Sequence, residues 1–387
     1  MSVPRVAVVG CHGYGARHVM AVLALQARGR VEVVGLVDPV AGPVTREGVT
    51  VGTDRLPPFW PSLPALLAAR PVDVVVVATP LHLHVEQAAA ALAVGADVLL
   101  EKPPVTGRDE LDALLEAERR SPGRVQVGLQ ALGSAALTRL TAAVRDGALG
   151  EVRGIGAWGS WSRPRAYYER AAWAGRRRLA GRVVLDGAVS NPFAHAVADA
   201  LHLAGRTSRA ATGQVDLELF RAHAIEADDT SAVRVPAGAG AGPDAADVPV
   251  VAAFTLAGPH EEEPVVEVRG SRGTARLLYA QDRLEVDGPA AARRLIGTHP
   301  RRDLLEDLLE ARRTGGPLLS PLAATAGLVE VVEAVRRVEP LPVRPEHVTW
   351  HGEGAAARPV LAGVEQHVRD VVRTGELFRG IGAPWVP

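Results

Sequence analysis

The segment VDVVVVATPLHLHVEQAAAALAVGADVLLEKP, residues 72–103, decides the fold. Residues 72–80 are β-branched on both faces of a pleat, which suits a strand covered on both sides. Residues 83–95 form an alanine-rich helical pattern that stops at Gly95, and residues 96–103 read as the next strand. A strand, a helix and a second strand in so short a span make a crossover unit. Its two strands lie parallel, and the crossover is right-handed.

The same alternation extends outward from this unit. RVAVVG (5–10) and VEVVGLVD (31–38) are strands, and ARHVMAVLALQARG (16–29) and SLPALLAARP (62–71) are helices. GRDELDALLEAERR (107–120) is a charged amphipathic helix, and RVQVGLQ (124–130) is a strand. The series predicts an α/β domain with a doubly wound parallel sheet of the Rossmann kind over residues 1–126.

Beyond residue 130 the pattern changes. One helix (135–147) precedes strands at 151–161, 214–223, 231–236, 249–256, 264–269, 274–279 and 283–286. Helices follow at 301–316, 325–338 and 361–374. Residues 127–387 are therefore expected to form an α+β domain on a mostly antiparallel sheet, ending in a proline- and glycine-punctuated tail. PAGAGAGPDAADVP (236–249) is expected to be a loop between strands.

The formal net charge of −1 gives no global field favouring nucleic acid or an anionic membrane. Cys11 is the only cysteine, so no internal disulfide can form, which fits a reducing cytoplasm. The N-terminus has no signal-peptide pattern, and the apolar run 88–96 is too short to span a bilayer. No metal-ligand spacing stands out.

Lys102 is the only lysine in a chain with 43 lysines and arginines. On a solvated surface arginine supplies the same charge. Lysine is needed where a compact ammonium must fit, or where a proton must move. Pro103 and Pro104 stiffen the backbone beside it.

Gly10, Gly13 and Gly15 follow the first strand and precede the first helix. Gly10 and Gly15 take the first and third positions of the dinucleotide fingerprint, with His12 at the second and Gly13 and Tyr14 beside it. The turn would aim a helix N-terminus at a pyrophosphate. Asp38 ends the second strand, where a carboxylate accepts from ribose hydroxyls and repels a 2′-phosphate. NAD is thus expected over NADP, with Arg46 close enough in sequence to keep NADP open.

Thr79, Pro80, His84, Glu101, Lys102 and Pro103 match a run that resembles the glucose–fructose oxidoreductase, inositol dehydrogenase and MocA family, and the likeness covers residues 4 to about 150. The resemblance implies a Rossmann domain with an NAD site, to which Thr79, Pro80, His84, Glu101, Lys102 and Gln130 would contribute. It implies a substrate pocket on the second domain's open sheet, and a homo-oligomer. It also implies that Lys102 lies near the nicotinamide ribose and the reacting hydroxyl, steadying the oxygen.

In NPFAHAVADALHLAG (191–205), His195 matches the family's histidine. The family's aspartate four residues earlier is Asn191 here, and Asp186 is a candidate replacement carboxylate. Read from the residues alone, Asn191 and Pro192 resemble an N-cap and a first helical position. His195 then sits in the first turn, where the positive helix end disfavours imidazolium.

Residues 156–178 hold five of the chain's ten tryptophans and tyrosines. Trp158 and Trp161 should point to opposite faces of a strand. Trp161, Arg163, Tyr167, Tyr168 and Trp173 form a candidate wall for a sugar-like substrate. The family's arginine after its "VGF-N/Q" run is missing from VGLQALGS (127–134).

The reading is an NAD-dependent oxidoreductase taking hydride from a secondary alcohol of a sugar, polyol or cyclitol. The alternatives are an NAD-recycling glycosidase or epimerase, and a non-catalytic NAD-binding regulator, which Asn191 keeps open.

Overall fold

The computed structural model describes residues 3–238 and 247–387. Residues 239–246, inside the expected loop 236–249, lie outside the described residues. The chain divides into two compact units. The first comprises residues up to Val105, Asp109–Gly128 and Asp303–Leu322, and the second Thr106–Arg108, Leu129–Arg302 and Ala323–Pro387.

The first unit is a six-stranded parallel sheet of β1 (Arg5–Val9), β2 (Glu32–Val37), β3 (Phe59–Trp60), β4 (Val74–Val77), β5 (Asp97–Leu100) and β6 (Val125–Val127). Its order is β3-β2-β1-β4-β5-β6. Helices α1 (Gly15–Ala27), α2 (Leu63–Ala69), α3 (His84–Ala93) and α4 (Arg108–Arg119) make the crossovers. All four valines of β4 are buried, as a strand covered on both faces requires. The chain direction across the sheet reverses between β1 and β4. The carboxyl ends of those strands are therefore where an open α/β sheet binds its ligand.

One element returns to this unit from far along the chain. In the helix Leu304–Thr314, Leu304, Leu305, Leu308 and Leu309 join Val6, Val8, Val19 and Val22 in one core. The Asp303 carboxylate caps the helix by accepting from Leu305 N and Glu306 N. Arg312 pairs with Asp97 at 2.8 Å and with Asp73 at 3.3 Å. Two elements go beyond the sequence reading: the two-residue edge strand β3, and a hairpin of Val44–Arg46 with Val49–Val51.

The second unit is built on a nine-stranded mixed sheet of β7 (Val152–Ser162), β8 (Asp216–Arg221), β9 (Thr230–Val235), β10 (Val250–Thr255), β11 (Ala257–Gly270), β12 (Thr274–Leu278) and β13 (Arg283–Asp287), with Gly297–Thr298 and Leu341–Pro342 at its edges. Neighbours are antiparallel except β7 with β10 and β8 with Leu341–Pro342. Its longer helices are α5 (Ala135–Arg145), α6 (Ala194–Leu203), α7 (Ala326–Arg337) and α8 (Val364–Thr374).

The two faces of β7 meet different partners. On one, a Cβ at Gly156 would come within 2.5 Å of Val372 Cγ1, so glycine lets α8 lie close to the sheet. Trp158 packs on that side, against a core that includes Val368, Val371, Phe378 and Trp385. On the other, Trp161 meets the Phe193 ring at 4.6 Å, just before α6. The two tryptophans thus face opposite ways, as the spacing predicted. Among the described residues no helix is long and apolar enough to cross a membrane.

Candidate functional site

In the first unit, Gly10, Asp38, Thr79 and Glu101 each follow the end of a neighbouring parallel strand, which sets them along one edge of the sheet. Gly10 has φ +82°, and a Cβ there would stand 2.7 Å from Ala78 O. A Cβ at Gly15 would lie 1.9 Å from Gly10 O, so this turn closes only with glycine at both positions. A Cβ at Gly13 would meet no protein atom within 4 Å. That open side of the turn, beside the start of α1, is where a pyrophosphate can approach the backbone. No side chain caps α1, no acidic residue sits in its first turn, and Tyr14 precedes it. A helix end of this kind suits an anion.

Asp38 is tied into the turn. Its Oδ2 accepts from Cys11 N at 2.8 Å and its Oδ1 from Val40 N at 3.0 Å. His12 Nε2 bonds Val40 O at 2.9 Å, locking the same two loops together. The Cys11 thiol is buried beside that carboxylate, and burial first and Asp38 second push its pKa up to about 12. Arg46 lies 5.9 Å from the Tyr14 ring centre, which brings a guanidinium to this end of the sheet.

The loop carrying Lys102 is clamped by two buried side chains. His84 places Nε2 at 2.9 Å from Thr79 O and Nδ1 at 3.1 Å from Pro103 O, so one imidazole joins two strand-end loops. A neutral ring donates to only one of the two carbonyls. Burial nevertheless holds the His84 pKa below its usual 6.5, against the pull of those carbonyls. Glu101 bonds His18 Nε2 at 2.8 Å through Oε1 and accepts from Lys102 N at 3.2 Å through Oε2. Lys102 itself is half-buried. Thr79 Oγ1 donates to Gln87 at 2.6 Å, and Pro80 leads into the short 3-10 turn Leu81–Leu83.

In the second unit, α6 begins at Ala194 with Phe193 at the N-cap position, two residues later than the reading of Asn191 as N-cap and Pro192 as the first helical residue. The Nδ2 of Asn191 donates to Asp186 Oδ1 at 2.5 Å. His195 still lies in the first turn and is half-buried.

Asp186 is the hub of a network the sequence did not reveal. It is buried and accepts from Arg170 at 3.0 Å, from Gly175 N at 2.8 Å and from Asn191. Arg170 lies over the rings of Tyr167, at 3.8 Å, and Trp173, at 4.7 Å. Asp186, Asn191, Arg170, Tyr167 and Trp173 are therefore one assembly. Trp161 and Arg163 stand next to it. Arg163 lies 4.6 Å from the Trp161 ring centre and 5.2 Å from that of Tyr167, and pairs with Glu261 at 2.7 Å. Tyr168 meets Tyr167 edge-on and lies 4.7 Å from the His223 ring. Gln130 opens a buried 3-10 turn, Gln130–Gly133, in the same unit.

Asp199 follows His195 by four residues, on the same face of α6. It is fully buried, and neither oxygen has a hydrogen-bond partner among the described residues. Burial pushes its pKa well above the usual carboxyl value. Tyr279, 6.1 Å from the His195 ring, is raised by burial and, next, by Asp199.

Residues 4–129 match the profile of the Gfo/Idh/MocA oxidoreductase family, described as having an NAD-binding Rossmann fold. Over these residues the chain is similar to that family. A relative is a proposed UDP-kanosamine synthase oxidoreductase subunit from Amycolatopsis mediterranei, 37% identical over 177 residues. That match spans 46% of this chain and 46% of the relative, about half of each. In fold the chain is similar to the WlbA dehydrogenase of Chromobacterium violaceum, solved with NADH and UDP-GlcNAcA. The TM-score is 0.69 at 20% identity, over 87% of this chain and 94% of that one. It is also similar to a levoglucosan dehydrogenase solved with NADH, with a TM-score of 0.64 at 16% identity, over 86% and 95% of the two chains.

Proposed function

We propose that the protein is an NAD-dependent dehydrogenase that oxidises a secondary alcohol on a sugar, and that the sugar is carried by a nucleoside diphosphate. The observation that carries the reading is the carboxyl edge of the parallel sheet. There an uncapped helix end, an open glycine turn and a tethered aspartate share one edge with the clamped loop of the chain's only lysine. The nucleotide-sugar part is supported by relatives whose names carry UDP-linked sugars.

Bound nicotinamide supplies the hydride acceptor. The Lys102 ammonium donates to the substrate oxygen and favours its developing negative charge. His195 takes the hydroxyl proton, so the alcohol leaves as a ketone having given up a hydride and a proton. Asn191, held by Asp186, fixes the chain just before the helix that carries His195. Trp161, Tyr167 and Trp173, with Arg163 and Arg170 stacked on their rings, form the wall that meets the sugar.

The test is NADH formation at 340 nm, as a routine absorbance assay, with UDP-linked and free sugars. Net NADH with a UDP-sugar supports the reading. Tightly bound NAD with turnover and no net NADH supports recycling chemistry instead, and binding without any turnover supports a regulator. Asp38→Ala should weaken NAD binding about ten-fold and raise the preference for NADP, read by titrating both cofactors. Unchanged selectivity would mean another residue reads the ribose.

A further inference from the structure

We propose that a cavity in the second unit binds a nucleoside diphosphate. The cavity is about 600 Å³, within the usual range for a small-molecule site. Its charged and aromatic lining is Arg165, Tyr168, Arg176, Arg221, His223 and Trp350, with the carboxylates Glu169 and Glu226. Tyr168 and Trp350 are aromatic walls, and the His223 ring sits edge-on to both, at 4.7 Å and 6.0 Å. His223 is pinned by Asp229 Oδ2 at 2.8 Å and by Arg163 O at 2.9 Å, so the walls rest on a rigid base.

Three groups in this cavity lack the partners their chemistry calls for. The Tyr168 hydroxyl is buried and has no hydrogen-bond partner among the described residues. The Arg165 guanidinium lies 4.7 Å from the Trp350 ring centre and has no ion pair among the described residues. Arg221 donates to the Ile225 carbonyl at 2.8 Å and likewise has no carboxylate partner there. Arg176 is only loosely paired, 3.7 Å from Glu226. Guanidinium forks recognise phosphate oxygens in pairs, and aromatic faces take a planar base. A free sugar would leave Arg165 and Arg221 without an anionic partner, and an inorganic anion would leave the aromatic walls bare. A diphosphate joined to a nucleoside meets both demands.

The cavity backs onto the Asp186 network. Gly175, which lines it, donates its N–H to Asp186 at 2.8 Å. This inference deepens the proposed function and rests on it for the source of the ligand. That source is either the diphosphate end of the substrate or a free nucleotide acting beside it.

The probe is UDP, titrated calorimetrically into the full chain. UDP should bind, and Arg165→Ala, which removes an exposed side chain, should weaken it at least ten-fold. Tyr168→Phe should weaken it several-fold, with NAD binding unchanged in both variants. Absence of UDP binding, or binding indifferent to both substitutions, overturns the proposal. In turnover, UDP that raises KM alone identifies the substrate's own diphosphate. UDP that changes kcat at saturating substrate identifies a separate nucleotide, and either pattern supports the cavity. If a sugar is oxidised while UDP does not bind, the cavity inference fails and the dehydrogenase reading stands. If UDP binds while no sugar is oxidised, the reverse holds.

Discussion

His84 and Asp199 are buried helix residues, one in each unit, and they are bonded in opposite ways. His84 meets a carbonyl at both ring nitrogens and so holds the Lys102 loop against its neighbour. Asp199, one helical turn past His195, meets nothing with either oxygen among the described residues. The first is a scaffold that makes a site rigid. The second costs stability where it lies, and a cost kept beside a candidate catalytic histidine points to function. The contrast separates what each unit brings. The first presents a fixed loop, and the second presents a helix start backed by a charged network and an uncompensated carboxyl.

The largest expected effect tests the fixed loop. Lys102→Ala should lower kcat by about a thousand-fold or more while NAD affinity changes less than about three-fold. Equal losses in both would make Lys102 a binding residue only. Next is the charged network. Asp186→Ala removes the acceptor shared by Arg170, Gly175 N and Asn191, and should cost about 3 kcal/mol in urea unfolding, tempered by the partial exposure of Arg170. A loss near zero would mean the network does not order this part of the second unit.

The two buried groups then give opposite pH slopes. The folded chain resists protonating His84, whereas the unfolded chain protonates it near 6.5. Its contribution is therefore complete above about pH 6.5 and falls as the pH drops below that value. His202 and His367 are also lowered by burial and add to the same slope, so His84→Gln should flatten it only in part. The Asp199 carboxyl is raised above 3.8, so the folded chain keeps a proton that the unfolded chain has released. Its penalty shrinks as the pH falls through the folded value towards 3.8. Asp199→Asn should raise stability at pH 7 by about 1 kcal/mol and remove that slope. Urea midpoints from pH 5 to 8 measure both, as an ordinary working range. Slopes of the same sign for the two variants would erase the distinction drawn between the units.

Much of the parallel sheet was legible because its signals act over a few residues. Val72–Pro103 carries its own strand, helix and stop, and Asp38 falls at the end of a strand that its valines define. The partners of those residues were not legible. Glu101 finds His18 across 83 positions and Gln126 finds Leu304 across 178, and no local period encodes such pairs. For the same reason the return of Leu304–Thr314 to the first core is invisible in the pattern of that helix, which any apolar face would satisfy. His84 was visible as a candidate, but its action as a clamp required the position of Pro103. Asn191 reads as an N-cap locally, and only the fold brings Asp186 close enough to take its amide. The cavity between Tyr168 and Trp350 draws on residues more than a hundred and eighty positions apart, so it too appears only in the folded chain.

The central claim is that the chain's only lysine acts on the substrate oxygen because a compact, proton-exchanging ammonium is needed there. Lys102→Arg keeps the charge and changes the rest, so its kcat, measured beside its NAD titration, tests the claim most directly. NAD binding should survive while kcat falls at least about a hundred-fold. Full turnover with arginine at position 102 would contradict it.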